Sequence, residues 1–330
     1  MISVIKSGLF DTVQDLGRYG YQRFGVVAGG VMDPFSHRVA NLLVGNEEDA
    51  ATLEMTLVGP VLLFEEDTVI AICGGDLIPM IADDPVPKWK PVFIRNGSEL
   101  QFGAAKTGSR AYLAVSGGFD APVVLGSRST YVKAGLGGMD GRALRKGDVL
   151  CFGAVSKLAE LIKGKLESGT PIHAADWRVT PKLLPDLSGT YEIQVMRGRQ
   201  YELFDEESQY RFWNETFTVS SQSDRMGYRT TGPTLRLKEP KEMVSEAVTY
   251  GSIQVPPDGS PIILAADRQT TGGYPKIGQL SSIDFSKLAQ AKAGDRLLFK
   301  EVTIEESQQY LAKREMDLKM LRAAIRNRFK

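Results

Sequence analysis

Short stretches in which every second residue is apolar recur through most of the chain. They include ISVIKSG, TLEMTL, TVIAIC, AYLAVSG, DVLCFG, YEIQVMRG, SIQVP, PIILAA and DRLLFKEV. Turns rich in Gly, Pro, Asp and Asn separate these stretches, as in sandwiches and barrels built from short strands. The pattern therefore predicts a mainly β chain.

Signals of helical period are fewer. In DPFSHRVANLLVG, Asp33 occupies the N-cap position, Pro34 the first helical position, and Gly45 the place where a helix commonly stops. A second, short helix is predicted over DFSKLAQAK, which starts at Asp284.

Residues 303–330 predict a longer C-terminal helix with one apolar stripe. Its members are Leu311, Leu318, Leu321 and Ile325, which recur at helical spacing. The stripe either packs against the β structure of this chain or contacts a partner protein.

The two halves of the chain carry similar segments in the same order. The pairs are DLGRYG with DRMGYR, EMTLVGPVLLF with EAVTYGSIQVP, SRAYLAV with SPIILAA, PVVLG with PKIG, and KGDVLCF with AGDRLLF. These matches in register indicate a tandem duplication of one β module. We predict a first β domain over residues 1–155, a connection over 156–189 and a second β domain with the C-terminal helix over 190–330.

Composition narrows the class of protein. The 330 residues are 42% hydrophobic and 24% charged, which suffices for a sizeable core in about two domains. Lys plus Arg and Asp plus Glu both number 40, so neither a nucleic acid nor a membrane surface is an expected partner.

The expected location is the cytoplasm. No apolar run approaches the length of a membrane span, and the N-terminus lacks a signal-peptide pattern. Cys73 and Cys151 fit a reducing compartment, and we expect both thiols to be buried rather than reactive.

The segment DRQTTGGYPKIG, residues 267–278, concentrates charged, amide and hydroxyl side chains in a short stretch. The matching segment of the first half, SGGFDAPVVLG, is small and mostly apolar. A loop that only closed a hairpin would need the glycines and the proline but not the charged side chains. The segment is therefore either a solvated turn or, as we favour, a ligand-binding loop on a rigid β scaffold.

As a binding loop, the segment offers several kinds of contact. Its glycines bring backbone N–H groups close to an anionic or amide-bearing ligand. Lys276 and Arg268 supply positive charge, and Asp267 supplies a proton acceptor or an orienting carboxylate. Directional hydrogen bonds come from Gln269, Thr270 and Thr271.

Other polar clusters are candidates for the same region. The segment QSDRMGYRTTGP carries Asp224, Arg225, Tyr228 and Arg229 around a glycine, as part of a site or as a surface ion-pair cluster. Glu246 begins a predicted strand, and a carboxylate entering a β core needs a partner such as one of these arginines. In the first half, Asp15, Arg18 and Arg23 form a patch that either lines a site or packs domains together.

Several standard site motifs are absent from the sequence. There is no GxxxxGK[ST] loop, and GLGGMDG fails the GxGxxG pattern because Asp140 stands at the third glycine position. His37 and His173 lack metal-ligand spacing, so no metal site is expected and both are expected to be structural. GxSxG is absent as well, which leaves Ser-His-Asp hydrolysis without a visible basis.

Longer stretches resemble a known family. They are GLFDTVQDLGRYGYQRFGVVAGGVMDPFSHRVANLLVGN, CGGD, LAVSGGFD, QSDRMGYR and DRQTTGGYPKIG. Together they are similar to the allophanate hydrolase subunit 2 family, also called the biotin-dependent carboxyltransferase family, and within it to the branch of the 5-oxoprolinase C subunits (KipA-like). The resemblance covers essentially the whole chain.

The resemblance implies a fold, partners and an activity. The fold is two tandem cyclophilin-like β-barrel domains with a few short helices and a C-terminal helix. The partners are the 5-oxoprolinase B subunit (KipI-like) and the A subunit, and the complex opens the lactam of 5-oxo-L-proline to L-glutamate with ATP. The ATP is bound by this chain or by one of these partners, and this chain is active only within the complex.

Two other functions stay open. The chain could be a regulatory binding module that antagonises a kinase inhibitor of the KipI type, a relative of the B subunit. It could also be a biotin-dependent carboxyltransferase that acts on a urea-like or amide substrate. Biotin is not expected, because the near match to the carrier signature, LKM at 318–320, lies in the predicted C-terminal helix.

With a lactam substrate, Asp267 and Lys276 are the expected catalytic residues. Lys276 and Arg225 would meet developing or phosphate charge, while Asp267, Gln269 and Tyr274 would orient the lactam. The remaining expected substrate contacts are Thr270, Thr271, Asp224, Tyr228, Arg229 and Glu246.

Overall fold

A computed structural model describes residues 1–185 and 187–329 of the chain. The chain divides into two compact units. Unit 1 comprises Met1–Arg18, Asp33–Pro185 and Met316–Lys330, and unit 2 comprises Tyr19–Met32 and Asp186–Glu315. The prediction of a mainly β chain with a barrel, short helices and a C-terminal helix is confirmed.

Unit 1 is built on two six-stranded sheets. Its strands are β1 (Ile2–Lys6), β2 (Phe10–Gln14), β3 (Thr52–Thr56), β4 (Val61–Phe64), β5 (Thr68–Asp76), β6 (Met80–Ile81), β7 (Asp84–Pro85), β8 (Val92–Ile94), β9 (Glu99–Gln101), β10 (Thr107–Val115), β11 (Val149–Leu150) and β12 (Ile172–Ala174). The sheet orders are β11-β1-β4-β9-β6-β7 and β12-β8-β5-β10-β3-β2. Apolar side chains from both sheets, including Ile2, Leu62 and Leu113, form one buried core.

Helices cover the second of these sheets. They are α1 (Pro34–Leu43) and α2 (Lys157–Leu166). The predicted start of α1 is confirmed, since Asp33 accepts a hydrogen bond from the Ser36 N–H at 3.0 Å. Gly45 has φ +80°, the left-handed conformation that glycine adopts most readily at a helix end.

Unit 2 contains a closed barrel. Its strands are β13 (Thr190–Arg197), β14 (Phe217–Val219), β15 (Gly227–Thr231), β16 (Glu246–Ala247), β17 (Ser252–Gln254), β18 (Ile262–Leu264), β19 (Thr271–Gly272), β20 (Lys276–Leu280) and β21 (Arg296–Glu301), and its helices are α3 (Glu206–Asn214) and α4 (Phe285–Gln290). The barrel order is β13-β20-β17-β18-β15-β14-β21, and β16 pairs with β19 as a separate ribbon. Aromatic residues such as Tyr191, Phe217 and Phe299 fill the barrel core.

The C-terminal helix α5 (Ile304–Arg328) has residues in both units. Leu318 and Ile325 are buried against an apolar cluster of unit 1, and Leu321 packs beside it. This part of the apolar stripe therefore packs on the chain itself. Leu311 lies in the unit 2 part of the helix and is 41% exposed.

Residues 156–189, which we predicted as a connection, include α2 and β12, and β12 pairs with β8 of unit 1. Among the proposed repeat segments, PKIG begins strand β20 while PVVLG lies outside the named strands. The predicted domain boundaries and the tandem duplication stay predictions.

In the polar patch of the first half, Asp15 and Arg18 have a structural role in unit 1, whereas Arg23 belongs to unit 2. Asp15 accepts hydrogen bonds from the hydroxyls of Ser127 and Ser129. Arg18 donates to the Ser129 carbonyl at 2.6 Å. These bonds tie the chain after β2 to the 127–129 loop.

The expectation that both thiols are buried is wrong for Cys151. Cys73 lies in β5 and is buried, whereas Cys151 is exposed. Cys151 follows the edge strand β11, in which Leu150 points inward, so the alternation of a strand turns Cys151 outward. No helix within the described residues is long and apolar enough to cross a membrane.

Asp11 in β2 carries a buried carboxyl group. It is 1% exposed, one oxygen accepts from the Gly8 N–H, and the other has no partner among the residues that the structure describes. Burial raises the pKa of Asp11 from 3.8 to about 7, although the Gly8 hydrogen bond acts in the opposite direction.

We expect Asp11→Asn to remove a pH-dependent part of the stability. Because the folded pKa is raised, the contribution of neutral Asp11 is complete below about pH 4 and is lost as the pH rises through about 7. Urea unfolding should show that the wild type loses up to about 4 kcal/mol relative to Asp11→Asn between pH 4 and pH 8. Asp83→Asn, at an exposed position, is the control. An equal difference in unfolding free energy between the wild type and Asp11→Asn at both pH values would refute the raised pKa of Asp11.

Candidate functional site

The segment over residues 267–278 is divided among three structural elements. Asp267 follows the barrel strand β18, Thr271–Gly272 forms β19, and Lys276 begins the barrel strand β20. The ribbon sets Gly272 opposite Glu246, which is the first residue of β16. Pairing with a distant strand therefore places a second carboxylate beside the segment.

Asp267 forms a buried ion pair with Arg225. Strands β15 and β18 pair antiparallel, and beyond their ends the Asp267 N–H donates to the Arg225 carbonyl at 2.8 Å. The two side chains are thus adjacent, with Arg225 Nε 2.9 Å from one Asp267 oxygen and Nη2 3.1 Å from the other. Arg225 Nη2 also donates to the Gly30 carbonyl, within the same unit.

This pair determines what Asp267 can do. Both side chains are about nine-tenths buried, at 8% and 10% exposure, and two parallel charge-assisted bonds hold the carboxylate. Its negative charge is compensated inside the protein. The arrangement suits an orienting carboxylate better than a free proton acceptor.

Lys276 forms a second and more accessible pair. Its Nζ lies 2.8 Å from Glu246 Oε2, and Arg199 lies 3.6 Å from the other oxygen of Glu246. The Lys276 hydrogen bond and then its charge hold the pKa of Glu246 below its usual value, so Glu246 is a carboxylate at neutral pH. Asp267 and Lys276 therefore belong to different ion pairs, and neither side chain extends into bulk water.

The glycines of the segment allow close packing. A Cβ on Gly272 would lie 2.5 Å from Gln254 Nε2, and one on Gly273 would lie 3.3 Å from Ser245 Oγ. A side chain at position 272 would therefore displace Gln254. Close approach of a neighbouring side chain accounts for Gly272 without a ligand.

Other predicted site residues lie on the surface of unit 2. Gln269, Thr271, Tyr274 and Arg229 are exposed, and Thr270 is half-buried. These side chains are accessible to a small molecule. Their contact with a substrate stays a prediction.

Two predicted residues have evident structural roles. Asp224 accepts hydrogen bonds from the backbone N–H groups of Met226 and Gly227 at 2.8 and 3.3 Å, which shapes the turn before β15. Tyr228 is 2% exposed and belongs to the barrel core. Packing accounts for Tyr228, and its predicted substrate contact is untested.

A cleft of about 660 Å³ borders the middle of the segment. It is lined by Phe204, Leu235, Arg236, Leu237, Pro240, Lys241, Glu242, Met243, Val255, Pro256, Pro257, Gly273, Tyr274 and Pro275. Most of these residues are apolar, as in small-molecule sites. Tyr274 is the predicted site residue that lines it, whereas Asp267 and Lys276 do not.

The sequence did not point to Arg199 and Gln200. Gln200 accepts a hydrogen bond from the Lys276 N–H at 3.1 Å, and Arg199 adds charge beside Glu246. Both follow Gly198, where a Cβ would lie 2.3 Å from the Lys276 carbonyl. The segment RGRQ was the available signal, since it combines a glycine with two cations and an amide.

Comparisons with known proteins agree with the fold of the chain. The family model described as carboxyltransferase domain, subdomain A and B, matches residues 24–301. The chain is 38% identical to the 5-oxoprolinase C subunit of Haemophilus influenzae, over 98% of this chain and 99% of that protein. It is 36% identical to the 5-oxoprolinase C subunit of Escherichia coli, over 93% of both chains.

A solved structure is similar as well. The crystal structure of Kluyveromyces lactis urea carboxylase matches 97% of this chain with a TM-score of 0.86 and 32% sequence identity. The match covers 29% of the urea carboxylase chain. The chain thus spans less than a third of that enzyme's length.

Removing one partner of the buried pair should destabilise unit 2 strongly. We expect Asp267→Ala to lower the free energy of unfolding by about 3 to 5 kcal/mol, because it removes the carboxylate that is hydrogen-bonded to the buried guanidinium of Arg225. Glu246→Ala breaks the more exposed pair and should cost much less. Urea titrations of the two variants give the comparison, and equal losses would show that Arg225–Asp267 is not the dominant pair.

Proposed function

The chain belongs to the family of carboxyltransferase domains with subdomains A and B, and we propose that it is one component of an ATP-dependent 5-oxoprolinase complex. The complex opens the lactam of 5-oxo-L-proline to L-glutamate. This chain acts together with a KipI-like B subunit and with the A subunit, and it is active only in their presence.

One observation carries the proposal. The alignments with two proteins named as C subunits of 5-oxoprolinase run over nearly the full length of both partners. The urea carboxylase match instead corresponds to a part of a much longer enzyme. The similarity to the two C subunits therefore extends over nearly their whole length.

The chemistry requires a site that stabilises charge on a carbonyl oxygen. Opening the lactam joins a water oxygen to the carbonyl carbon and breaks the C–N bond, and the nitrogen leaves with a proton as the amine. Nitrogen donates electron density to the carbonyl and opposes the attack. A preorganised donor to the oxygen is worth on the order of 3 kcal/mol in the transition state.

We assign Lys276 as such a donor and Asp267 as an orienting group. Lys276 is held by Glu246 at 2.8 Å, in a pair accessible enough for its ammonium to meet a ligand. Asp267 is fixed by Arg225 and sets the position of the residues that follow it, among them Gln269. Tyr274, at the rim of the cleft, completes the proposed contacts with the lactam.

We assign nucleotide binding to a partner protein of the complex or to a surface shared with one. The sequence of this chain has neither a GxxxxGK[ST] loop nor a GxGxxG turn. When bound in the complex, ATP supplies the driving force for opening a stable amide.

A carboxyltransferase activity is the second candidate, and the family description together with the urea carboxylase fold favours it. In that role the site would accept a urea-like or amide substrate and a carboxyl group from biotin on a separate carrier. Lys319, in the LKM segment, lies inside α5 next to the buried Leu318. It is therefore not placed like a carrier lysine at a hairpin tip.

Reconstitution with the A and B subunits tests the proposed function. The complete complex should form glutamate from 5-oxo-L-proline with coupled hydrolysis of ATP. Omission of this chain should abolish glutamate formation. A complete complex that forms no glutamate would contradict the proposal. Carboxylation of urea with a biotin carrier would then favour the second candidate, and binding of the B subunit without catalysis would favour the regulatory role.

In the reconstituted complex, Lys276→Ala should lower kcat by at least roughly a hundredfold, because it removes a donor to the carbonyl oxygen. Lys287→Ala is the matched control, since Lys287 also pairs with a carboxylate, Asp284, at 3.0 Å, but lies on α4. Size-exclusion chromatography checks that both variants assemble. Unaltered activity of Lys276→Ala would remove Lys276 from the mechanism.

A further inference from the structure

The cations near the segment differ in how their charge is compensated. Arg225 is matched by Asp267, and Lys276 is matched by Glu246. Arg268, between them in sequence, has no carboxylate within ion-pair distance among the residues that the structure describes. Within the described part of the chain, Arg268 is therefore the cation of the segment that has no carboxylate partner.

The hydrogen bonds of Arg268 use a small part of its guanidinium. Nη1 donates to the carbonyls of Ala265 and Ala266 at 3.2 and 3.4 Å. Nε is buried and has no acceptor in the described part of the chain. Nη2 makes no hydrogen bond there either and is not a buried atom, so it can reach a ligand from solvent. The backbone therefore fixes one edge of the guanidinium and leaves the rest for another partner.

The surroundings of Arg268 make an uncompensated charge costly. Burial lowers its pKa, while the phenol groups of Tyr19 and Tyr250 and the carboxylate of Asp267 act in the opposite direction. An arginine stays protonated even so, and a partly buried cation without an anion is unfavourable. Such a residue is stabilised when a ligand brings the missing negative charge.

We propose that Arg268 binds the carboxylate of a small amide-bearing monoacid and thereby selects the substrate. The proposal rests on the proposed function, in which the ligand is 5-oxo-L-proline, whose lactam carries one carboxylate. With the carboxylate at Arg268, the next residues, Gln269 and Thr270, lie where amide and hydroxyl groups can meet the lactam.

The charge balance favours a carboxylate over a phosphate group. The single positive charge of Arg268 is available to a ligand, whereas a phosphate carries a negative charge of about 1.5 to 2 near neutral pH. The neighbouring carboxylate of Asp267, which forms an ion pair with Arg225, would repel the excess negative charge. A planar carboxylate also fits the fork of a guanidinium.

Two lactams that differ only in the carboxylate provide the first test. In the reconstituted complex, Arg268→Gln should lower kcat/KM for 5-oxo-L-proline about ten- to a hundredfold, mainly through KM. Turnover of 2-pyrrolidinone, which lacks the carboxylate, should stay as in the wild type. Arg268→Lys keeps the charge but loses the planar guanidinium. Its kcat/KM for 5-oxo-L-proline should therefore lie between the values of the wild type and of Arg268→Gln. An equal loss for both lactams, or no loss, would overturn the proposal.

Calorimetry on the full chain alone separates this inference from the proposed function. 5-Oxo-L-proline should bind the wild type and bind Arg268→Gln at least tenfold more weakly, whereas Arg296→Gln, at an exposed position on β21, should bind as the wild type does. If the complex fails to form glutamate while this binding pattern holds, the carboxylate site stands and the reaction does not. Absence of binding, or inorganic phosphate binding more tightly through Arg268, would refute the carboxylate site.

Discussion

The buried ion pair between Arg225 and Asp267 is the constraint on which the polar side of unit 2 depends. The antiparallel pairing of β15 and β18 places the two residues next to each other, and a backbone hydrogen bond of 2.8 Å joins them beyond the strand ends. Two charges removed from water hold each other in one geometry. Because these bonds hold Asp267, the chain that follows it leaves the barrel in a defined direction, and Arg268 donates to two backbone carbonyls.

Charge balance separates structural from functional polar residues in this region. Arg225 has its counter-ion and an additional carbonyl acceptor, so its charge serves the fold. Lys276 and Glu246 form an ion pair that is partly exposed, which lets a ligand replace one of the partners at low cost. Arg268 is partly buried and has no carboxylate within ion-pair distance in the described part of the chain, and this difference supports its assignment to a ligand. Residues of the segment thus take part in a buried ion pair (Asp267 with Arg225) and in a more accessible one (Lys276 with Glu246). Arg268 has no carboxylate partner among the described residues.

The sequence predicted what is encoded locally. The start of α1 followed from Asp33 and Pro34, because an N-cap and a fixed φ act within one turn. The ribbon between β16 and β19 was not predicted, since strand pairing joins residues that are distant in sequence and DRQTTGGYPKIG reads as one loop. The partner of Asp267 is likewise set by barrel register, so the sequence suggested Arg225 as a partner of Glu246 or of ligand charge, whereas Arg225 pairs with Asp267 and Lys276 pairs with Glu246. The exposure of Cys151 depends on an edge strand that is only two residues long.

We infer that Arg268, and not Arg225, receives the carboxylate of the ligand. Nuclear magnetic resonance of the ¹⁵N-labelled chain tests it directly, through the arginine Nε–H signals during titration with 5-oxo-L-proline. We expect a saturable shift of the Arg268 signal, a stationary Arg225 signal, and no shift of Arg268 with 2-pyrrolidinone. A shift at Arg225 with Arg268 unchanged, or equal shifts with both lactams, would contradict it.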